Sequence, residues 1–167
     1  MGRTRGSAGR DLLKGAIAGA VATWVMDRVT TAMYRRENPA AKRAENEVRG
    51  GQTAYETAAG RAAELVGAPV SDQRLEQAGL AVHWALGIGA GAVYAVLRRR
   101  VGVVGRAAGT VFGTGFWALL DEGVVPLLGL TPGPRAFPWQ THARGLAGHL
   151  SFGAVTDATL RVLDAVV

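Results

Sequence analysis

Residues 105–139 have the sequence GRAAGTVFGTGFWALLDEGVVPLLGLTPGPRAFPW, and the rest of the chain is best understood from them. Glycines recur every four residues in an apolar run, and the same step leads on through Trp117 to Asp121. In water such a run would form a poor helix, because each glycine costs about 1 kcal/mol relative to alanine. In a bilayer the same glycines let two helix backbones approach closely. The stretch therefore predicts a membrane helix that packs through its glycine face and carries a carboxylate.

The same four-residue step of small residues recurs in three other apolar segments. It predicts an all-α fold, an integral membrane bundle of four transmembrane helices over residues 12–33, 79–97, 103–130 and 142–163. Each segment is long enough to cross a hydrocarbon core of about 30 Å. The expected partners are the lipid bilayer and, through the glycine faces, a second copy of the chain or another subunit of a membrane complex. The predicted helix-packing positions are Gly15, Gly19, Gly87, Gly91, Gly105, Gly109, Gly113, Gly145 and Gly153.

The first residues and the connection after the first span are expected outside the membrane. Residues 1–11 are rich in Gly, Arg and Ser, and they predict a disordered basic tail before a single membrane domain over residues 12–167. Residues 34–78 carry equal numbers of acidic and basic side chains. Two pairs of helix-breaking residues interrupt this loop, namely Asn38–Pro39 and Gly50–Gly51. The stretches between and after these pairs are long enough for one or two short helices.

A Pro- and Gly-rich connection follows the third predicted span and cannot form a regular helix. Its aromatic rings suit the interface between membrane and water, where amphipathic rings settle. The residues assigned to this interfacial loop are Pro132, Phe137, Pro138 and Trp139.

Composition limits the function classes. Of the 167 residues, 49% are hydrophobic and 19% charged, and the mean hydropathy of +0.14 is only slightly positive because Ala, Gly and Val dominate the apolar segments. A soluble Ala- and Gly-rich helical protein therefore remains an alternative. The chain has no cysteine, which excludes disulfides, thiolate metal sites and cysteine nucleophiles.

The net charge of +6 is concentrated in two basic clusters beside apolar segments. This placement follows the positive-inside rule, so both termini are expected in the cytoplasm. Nucleic acid is not an expected partner, because no aromatic residues interleave with the basic ones. The clusters consist of Arg3, Arg5, Arg10 and Lys14 near the N-terminus, and of Arg98, Arg99, Arg100 and Arg106 between two apolar segments.

Each predicted span also places ionisable side chains on or beside its small-residue stripe. A charge that faces lipid at the bilayer centre is costly, so these side chains are expected to face the bundle interior and to meet one another or water. The candidate intramembrane polar cluster consists of Asp27, His83, Asp121, Glu122, His142, His149, Asp157 and Arg161.

Three interpretations of this cluster stay open. In the first, it belongs to a scaffold or accessory subunit that stabilises a partner complex or the envelope, and it consists of structural pairs, namely Asp157 with Arg161 and Asp27 with Arg28 or His83. In the second, which we favour, it binds or passes a proton, an ion or a small polar solute. In the third, His and carboxylate side chains bind a catalytic metal. No HExxH or GxSxG motif is present, so we predict no catalytic residue, metal ligand or cofactor.

Several short motifs in the second half of the chain point to a family. They are the apolar helix from His83 to Tyr94, PLLGLTP at residues 126–132, FPW at 137–139 and GHL at 148–150. Through these motifs residues 80–163 resemble the YagU-like inner-membrane proteins, a bacterial family of unknown function, and GAIAG at residues 15–19 is similar as well. The resemblance implies a multi-pass protein of the bacterial inner (cytoplasmic) membrane. It leaves residues 34–78 without a counterpart.

Overall fold

The computed structural model describes the backbone of residues 5–68 and 70–166 and the side chains from residue 8 onward. These residues form helices and turns and no β-strand, which confirms the predicted all-α class. The helices are α1 (Arg5–Arg36), α2 (Pro39–Arg49), α3 (Ala54–Leu65), α4 (Asp72–Arg100), α5 (Thr110–Leu119), α6 (Val125–Leu127) and α7 (Trp139–Val166). The shorter turns are a 3-10 turn (Arg106–Gly109) before α5, a π-helical turn (Leu120–Val124) between α5 and α6, and a 3-10 turn (Pro134–Ala136) before α7.

Local capping sets the ends of the two short helices between α1 and α4. α2 begins after Asn38, whose side chain accepts a hydrogen bond from the backbone N–H of Ala41 at 2.8 Å. It ends at Arg49, and Gly50 follows as the C-terminal cap with a φ of 61°. α3 begins after Thr53, which forms a reciprocal capping box with Glu56.

α1 and α4 form an antiparallel hairpin with a seam of small residues. A Cβ atom added to Gly19 would lie 2.5 Å from the carbonyl oxygen of Gly87, and one added to Gly15 would lie 2.6 Å from that of Gly91. Contacts below 3.0 Å essentially never occur for real Cβ atoms. Glycine alone therefore permits this approach of the two backbones.

α5 and α7 form a second antiparallel hairpin with the same kind of seam. A Cβ atom added to Gly113 would lie 2.1 Å from the carbonyl oxygen of His149, and one added to Gly109 would lie 2.3 Å from that of Gly153. Backbone contact again requires glycine at these positions.

The two hairpins repeat one pattern. The shared motifs are Gly-x3-Gly-x7-Asp at residues 15–27 and 109–121, and Gly-x3-His-x3-Gly at residues 79–87 and 145–153. Equivalent glycines lie in both seams, but Gly19 packs closest on Gly87 whereas Gly113 packs closest on His149, one turn away from Gly153. The repeat is hard to recognise from the sequence, because the shared positions are few and the connections within the two hairpins differ in length.

The hairpins pack side by side through α1 and α7 and point in the same direction. Lys14, near the start of α1, donates hydrogen bonds to the carbonyl oxygen of Leu163 at 3.0 Å and to Asp164 at 3.1 Å, near the end of α7. Farther along, a Cβ atom on Gly148 would lie 2.6 Å from the side chain of Thr30. The end of the bundle where α1 starts and α7 finishes is named the basic end, and the opposite end is named the mouth.

The structure corrects two predicted boundaries. The tail predicted as disordered over residues 1–11 is helical from Arg5 onward, and residues 1–4 lie outside the described residues. The third predicted span, residues 103–130, is not one continuous helix. Ala107 and Ala108 adopt left-handed φ angles of 48° and 52° before α5, and the π-helical turn follows it.

Two of the predicted packing glycines lie outside the backbone seams. Gly105 precedes α5, and a Cβ atom there would lie 3.6 Å from the Cβ of Arg98. Its place is outside the seam because the left-handed residues that follow it interrupt the helix. Gly145 faces a side chain, since a Cβ atom there would lie 3.0 Å from Trp117 Nε1.

Among the described helices, α4 is long and apolar enough to cross a membrane. A core helix of a soluble protein passes the same test, so α4 alone leaves the location open. Charged residues interrupt α1 and α7, and α5 has only 10 residues before the π-helical turn. The bundle of four transmembrane helices therefore stays a prediction.

Candidate functional site at the mouth of the bundle

A pocket of about 170 Å³ opens at the mouth. It is built by the end of α2 with the start of α3, by the turn that follows α5, and by the Pro-rich connection that leads into α7. This pocket is named the mouth pocket. The lining residues that matter for its chemistry are Tyr55, Trp117, Asp121, Glu122, Thr141 and His142.

The Pro- and Gly-rich connection forms one wall of the mouth pocket. Pro132 and Phe137 line it, and the guanidinium of Arg49 lies 5.8 Å from the centre of the Phe137 ring. Pro138 is half-buried, whereas Trp139, the first residue of α7, is exposed. Of the residues predicted for a membrane interface, Pro132 and Trp139 are thus exposed, and Phe137 and Pro138 are half-buried.

Glu122 and His142 form a hydrogen-bonded pair on the pocket wall. His142 Nδ1 lies 2.6 Å from Glu122 Oε1, and His142 Nε2 lies 3.0 Å from the carbonyl oxygen of Pro134. A carbonyl oxygen only accepts, so Nε2 carries a proton. A second proton lies between Nδ1 and the carboxylate, since two acceptors cannot share so short a contact. The pair therefore has no net charge, whether that proton is assigned to the imidazole or to the carboxyl group.

Asp121 has no hydrogen-bond donor among the described residues. Its Oδ2 lies 3.6 Å from His149 Nδ1, which is too long for a hydrogen bond. That nitrogen lies 3.0 Å from the carbonyl oxygen of Gly145 and donates its proton there. The Asp121 side chain is 32% exposed and lines the mouth pocket. It is therefore available to accept hydrogen bonds from a molecule in the pocket.

Thr141 supplies a second unpaired polar group. Its hydroxyl is buried and has no hydrogen-bond partner among the described residues. Buried polar groups in folded proteins are normally hydrogen-bonded, and an unpaired one costs about 1–3 kcal/mol. Although Thr141 lines the mouth pocket, its hydroxyl oxygen has almost no exposed surface, so this group lies buried behind the pocket wall.

A network of ion pairs holds α2 against α7 beside the pocket. Buried Arg144 of α7 pairs with Glu37 and contacts both carboxylate oxygens of Glu45 at 2.6 Å, and Arg49 lies 2.7 Å from Glu45. Burial acts to raise the pKa of Glu45, but the hydrogen bond from Arg144 and the charges of Arg49 and Arg144 together lower it below its ordinary value. Two guanidinium groups balance two carboxylates, so the network has no net charge.

Tyr55 separates the mouth pocket from a cavity of about 20 Å³ deeper in the bundle, since it lines both. The ring of Tyr55 packs against His83 with 4.9 Å between ring centres, and His83 Nε2 lies 2.8 Å from Asp27 Oδ1. Arg28, the other partner considered for Asp27, instead lies over the ring of Trp24. The two repeats thus contribute their Asp and His side chains to neighbouring parts of the mouth.

Comparisons with known proteins place the chain in a family. A family model described as "Protein of unknown function (DUF1440)" matches residues 36–158. The chain belongs to the DUF1440 family. No match was found among curated proteins or among solved structures. Every residue that lines the mouth pocket lies within the DUF1440 match.

The DUF1440 match extends over the loop between α1 and α4. Residues 34–78 had no counterpart in the YagU-like resemblance, yet the match includes all of this loop from residue 36 onward. α2 and α3 therefore belong to the common part of the family. The YagU-like name stays a prediction, because the description of the matched family carries no such name.

The side chains predicted as one polar cluster form two groups in this DUF1440 chain. Those near the mouth are Asp27, His83, Asp121, Glu122, His142 and His149. Asp157 lies eight residues beyond His149 on α7, about 12 Å along the helix axis, toward the basic end. There it accepts hydrogen bonds from Tyr94 at 2.8 Å and from Arg161 at 2.7 Å. Asp157 and Arg161 therefore do not share a site with the mouth pocket.

Several residues of the site were missed by sequence reasoning. Arg144 carried a usable signal, because an arginine inside a predicted span needs a carboxylate partner. Tyr55 and Thr141 carried none, since their roles depend on how the loop between α1 and α4 and the start of α7 meet in space. Among the described residues, no group of three or more His, Cys, Asp or Glu side chains is arranged to hold a metal ion.

Proposed function

We propose that this DUF1440 chain is a multi-pass protein of the bacterial inner membrane that binds a small polar solute in the mouth pocket. In this proposal α1, α4, α5 with α6, and α7 cross the membrane, and both termini lie in the cytoplasm. The observation that carries solute binding is the Asp121 side chain, which is partly exposed in the pocket and has no hydrogen-bond donor among the described residues. Folded proteins normally pair such groups, so a polar solute would complete the site.

Exposed apolar side chains support the membrane location. Leu13, Ile17, Val21 and Trp24 follow one face of α1 and are between 42% and 65% exposed. Only 28% of the most apolar part of α4 is buried inside the bundle. In water such faces would form extended apolar patches, which soluble monomers rarely expose, whereas in a bilayer they would contact acyl chains.

The packing below the mouth favours binding over passage through the bundle. Ala18, Ala22, Phe152 and Leu160 are at most 1% exposed, and the glycine seams bring the backbones of both hairpins into contact. A path for ions or polar solutes needs polar groups or water along its length. The cavity beyond Tyr55 has a volume of only about 20 Å³. We therefore propose a binding site at one end of the bundle.

A scaffold is the alternative function, and one observation favours it. Most ionisable side chains of the two polar groups are already paired, namely Asp27 with His83, Glu122 with His142 and Asp157 with Arg161. In a scaffold such pairs would only hold helices together. Asp121 distinguishes solute binding from the scaffold function, because a scaffold has no use for an unpaired carboxylate in an open pocket.

Solute binding can be tested with the full chain in lipid nanodiscs. Ethanolamine, glycine, acetate and glycerol are titrated by isothermal titration calorimetry into the wild type and into Ala54→Trp, which fills the mouth pocket from its wall. Ala62→Trp is the matched control, because Ala62 is exposed on the same helix and does not line the pocket. We expect binding to the wild type and to Ala62→Trp, and none to Ala54→Trp. No binding by any solute, or equal binding by Ala54→Trp, would leave the scaffold as the better function.

A further inference from the structure

The charged groups around the mouth pocket are paired with one another, with the exception of one carboxyl group. Glu122 and His142 share their protons and have no net charge. Arg49 is occupied by Glu45, within a network whose charges sum to zero. The remaining carboxyl group on the wall is that of Asp121, and it has no hydrogen-bond donor among the described residues.

The walls of the pocket suit an organic cation. Tyr55, Trp117 and Phe137 line it, and aromatic faces attract ammonium groups. An inorganic cation such as Ca²⁺ needs a shell of about six to eight oxygen ligands, which a wall with this many aromatic rings does not supply. A positively charged group with N–H donors can instead bind one carboxylate and lie against aromatic rings.

The size of the pocket narrows the choice further. A volume of about 170 Å³ corresponds to roughly five or six water molecules at about 30 Å³ each. This is below the range of about 300–1,000 Å³ that holds drug-sized ligands, so the solute has only a few heavy atoms.

We infer that the mouth pocket binds a small primary amine, with the ammonium group at Asp121. This inference rests on the proposed solute-binding function and names the class of solute. Ethanolamine is the main probe of the class. Ethylamine lacks the hydroxyl, and ethylene glycol replaces the ammonium group with a second hydroxyl.

The test uses isothermal titration calorimetry on the full chain in nanodiscs of phosphatidylcholine and phosphatidylglycerol. Asp121→Asn is expected to weaken ethanolamine binding by roughly 10-fold to 100-fold, because a charge-assisted hydrogen bond is lost. Glu64→Gln, an exposed carboxylate outside the pocket, is the matched control and should bind as the wild type does. Ethylene glycol should bind more weakly than ethanolamine and should be insensitive to Asp121→Asn.

The solutes themselves supply a second test that needs no variant. Ethylamine and ethanolamine share the ammonium group, so both should bind the wild type roughly 10-fold or more tightly than ethylene glycol does. This arm keeps the inference testable if Asp121→Asn does not fold, which circular dichroism and size-exclusion chromatography would reveal.

Two outcomes would overturn the inference. They are wild-type affinity of Asp121→Asn for ethanolamine, and tighter binding of ethylene glycol or acetate than of the amines. A neutral or anionic solute could bind the wild type but not Ala54→Trp, while no amine binds. In that case the solute class is wrong and the proposed function stands. If none of the solutes binds, both fall.

A primary ammonium group can come from a free amine or from a lipid headgroup. Repeating the titration in nanodiscs that contain phosphatidylethanolamine separates these sources. Loss of ethanolamine binding would identify the headgroup as the bound species, because it already occupies the pocket. Unchanged binding would identify the free amine. Both results support recognition of the ammonium group by Asp121.

Discussion

His83 Nε2 lies 2.8 Å from Asp27 Oδ1, and this contact joins α4 to α1 beside the ring of Tyr55. The equivalent residues of the second repeat, Asp121 and His149, are 3.6 Å apart, and His149 donates to a backbone carbonyl instead. In the first repeat the contact between Asp and His therefore joins the two helices of the hairpin. In the second repeat the carboxylate of Asp121 faces the mouth pocket instead.

This difference predicts unequal coupling energies in the two repeats. A double-mutant cycle with Asp27→Asn and His83→Gln should give a coupling free energy of about 1 kcal/mol, because a hydrogen bond joins the pair. The same cycle with Asp121→Asn and His149→Gln should give less than half of that value. Unfolding of the purified chain in detergent measures both cycles, and equal coupling energies would contradict the prediction.

The seam between α5 and α7 should not tolerate even one added methyl group. Gly113→Ala should lower the free energy of unfolding by about 1–3 kcal/mol, because its Cβ would meet the carbonyl oxygen of His149. Gly115→Ala, two residues along the same helix, meets nothing within 4 Å and should be neutral or stabilising by up to about 1 kcal/mol. Thermal unfolding in detergent compares the two variants. Equal effects would show that the seam is looser than described.

Acid should remove the contribution of Glu45 to stability. Burial opposes ionisation of this residue, but Arg144 and Arg49 lower its pKa below the ordinary value of 4.5 in the folded chain. A carboxyl group with a lowered folded-state pKa stabilises the fold above its unfolded-state pKa, and this contribution is lost as the pH falls through the folded-state pKa.

The difference in unfolding free energy between wild type and Glu45→Gln should therefore be largest near neutral pH and shrink below about pH 4. Denaturation measured from about pH 7 to about pH 3 tests this dependence. Glu47→Gln is the control, because Glu47 is exposed on the same helix. A difference that grows in acid would reverse the expected sign.

Arg61 should hold α3 in place at the mouth. Its guanidinium donates hydrogen bonds to the carbonyl oxygens of Leu128 at 2.5 Å and Gly129 at 2.7 Å, just after α6. Arg61→Met should raise amide hydrogen exchange across α3 while α1 and α7 keep their protection, because local opening needs no global unfolding. Arg74→Met, which removes an exposed arginine near the start of α4, should leave exchange in α3 unchanged. Faster exchange throughout the bundle would indicate that Arg61 supports the whole fold.

The proposed membrane location predicts contact between Trp24 and acyl chains. A chain whose only tryptophan is Trp24, in the exposed apolar face of α1, should be strongly quenched in nanodiscs with brominated acyl chains. A chain whose only tryptophan is Trp117, in the mouth pocket, should be quenched less. Equal, weak quenching of both would favour the soluble alternative.

The sequence predicted the seams well because their physical cause is local. Backbones in contact leave no room for a side chain, so the requirement appears directly as glycine at Gly19, Gly87, Gly113 and Gly153. Gly105 shows the limit of this reasoning. The four-residue step continues through it, but two left-handed alanines separate it from the helix.

The site itself was less predictable, because its residues come together through long-range contacts. Asp121, Glu122 and His142 were identified as ionisable groups in apolar segments, but nothing in their spacing indicated that only Asp121 lacks a donor. Tyr55 and Arg49 reach the pocket because Arg144 holds α2 in place. Arg144 lies more than ninety positions after α2 in the sequence. The separation of Asp157 from the mouth follows from helix rise alone and could have been predicted.

The pairing of α1 with α4 has a consequence for where this protein can be divided. The DUF1440 match begins at residue 36, the last residue of α1, so the family boundary cuts the first hairpin between its two halves. A fragment that starts at this boundary would leave Gly87 and Gly91 of α4 without the backbone they pack on. The segment that homology delimits is thus shorter than the packed bundle, and we expect a fragment that folds on its own to need α1 as well.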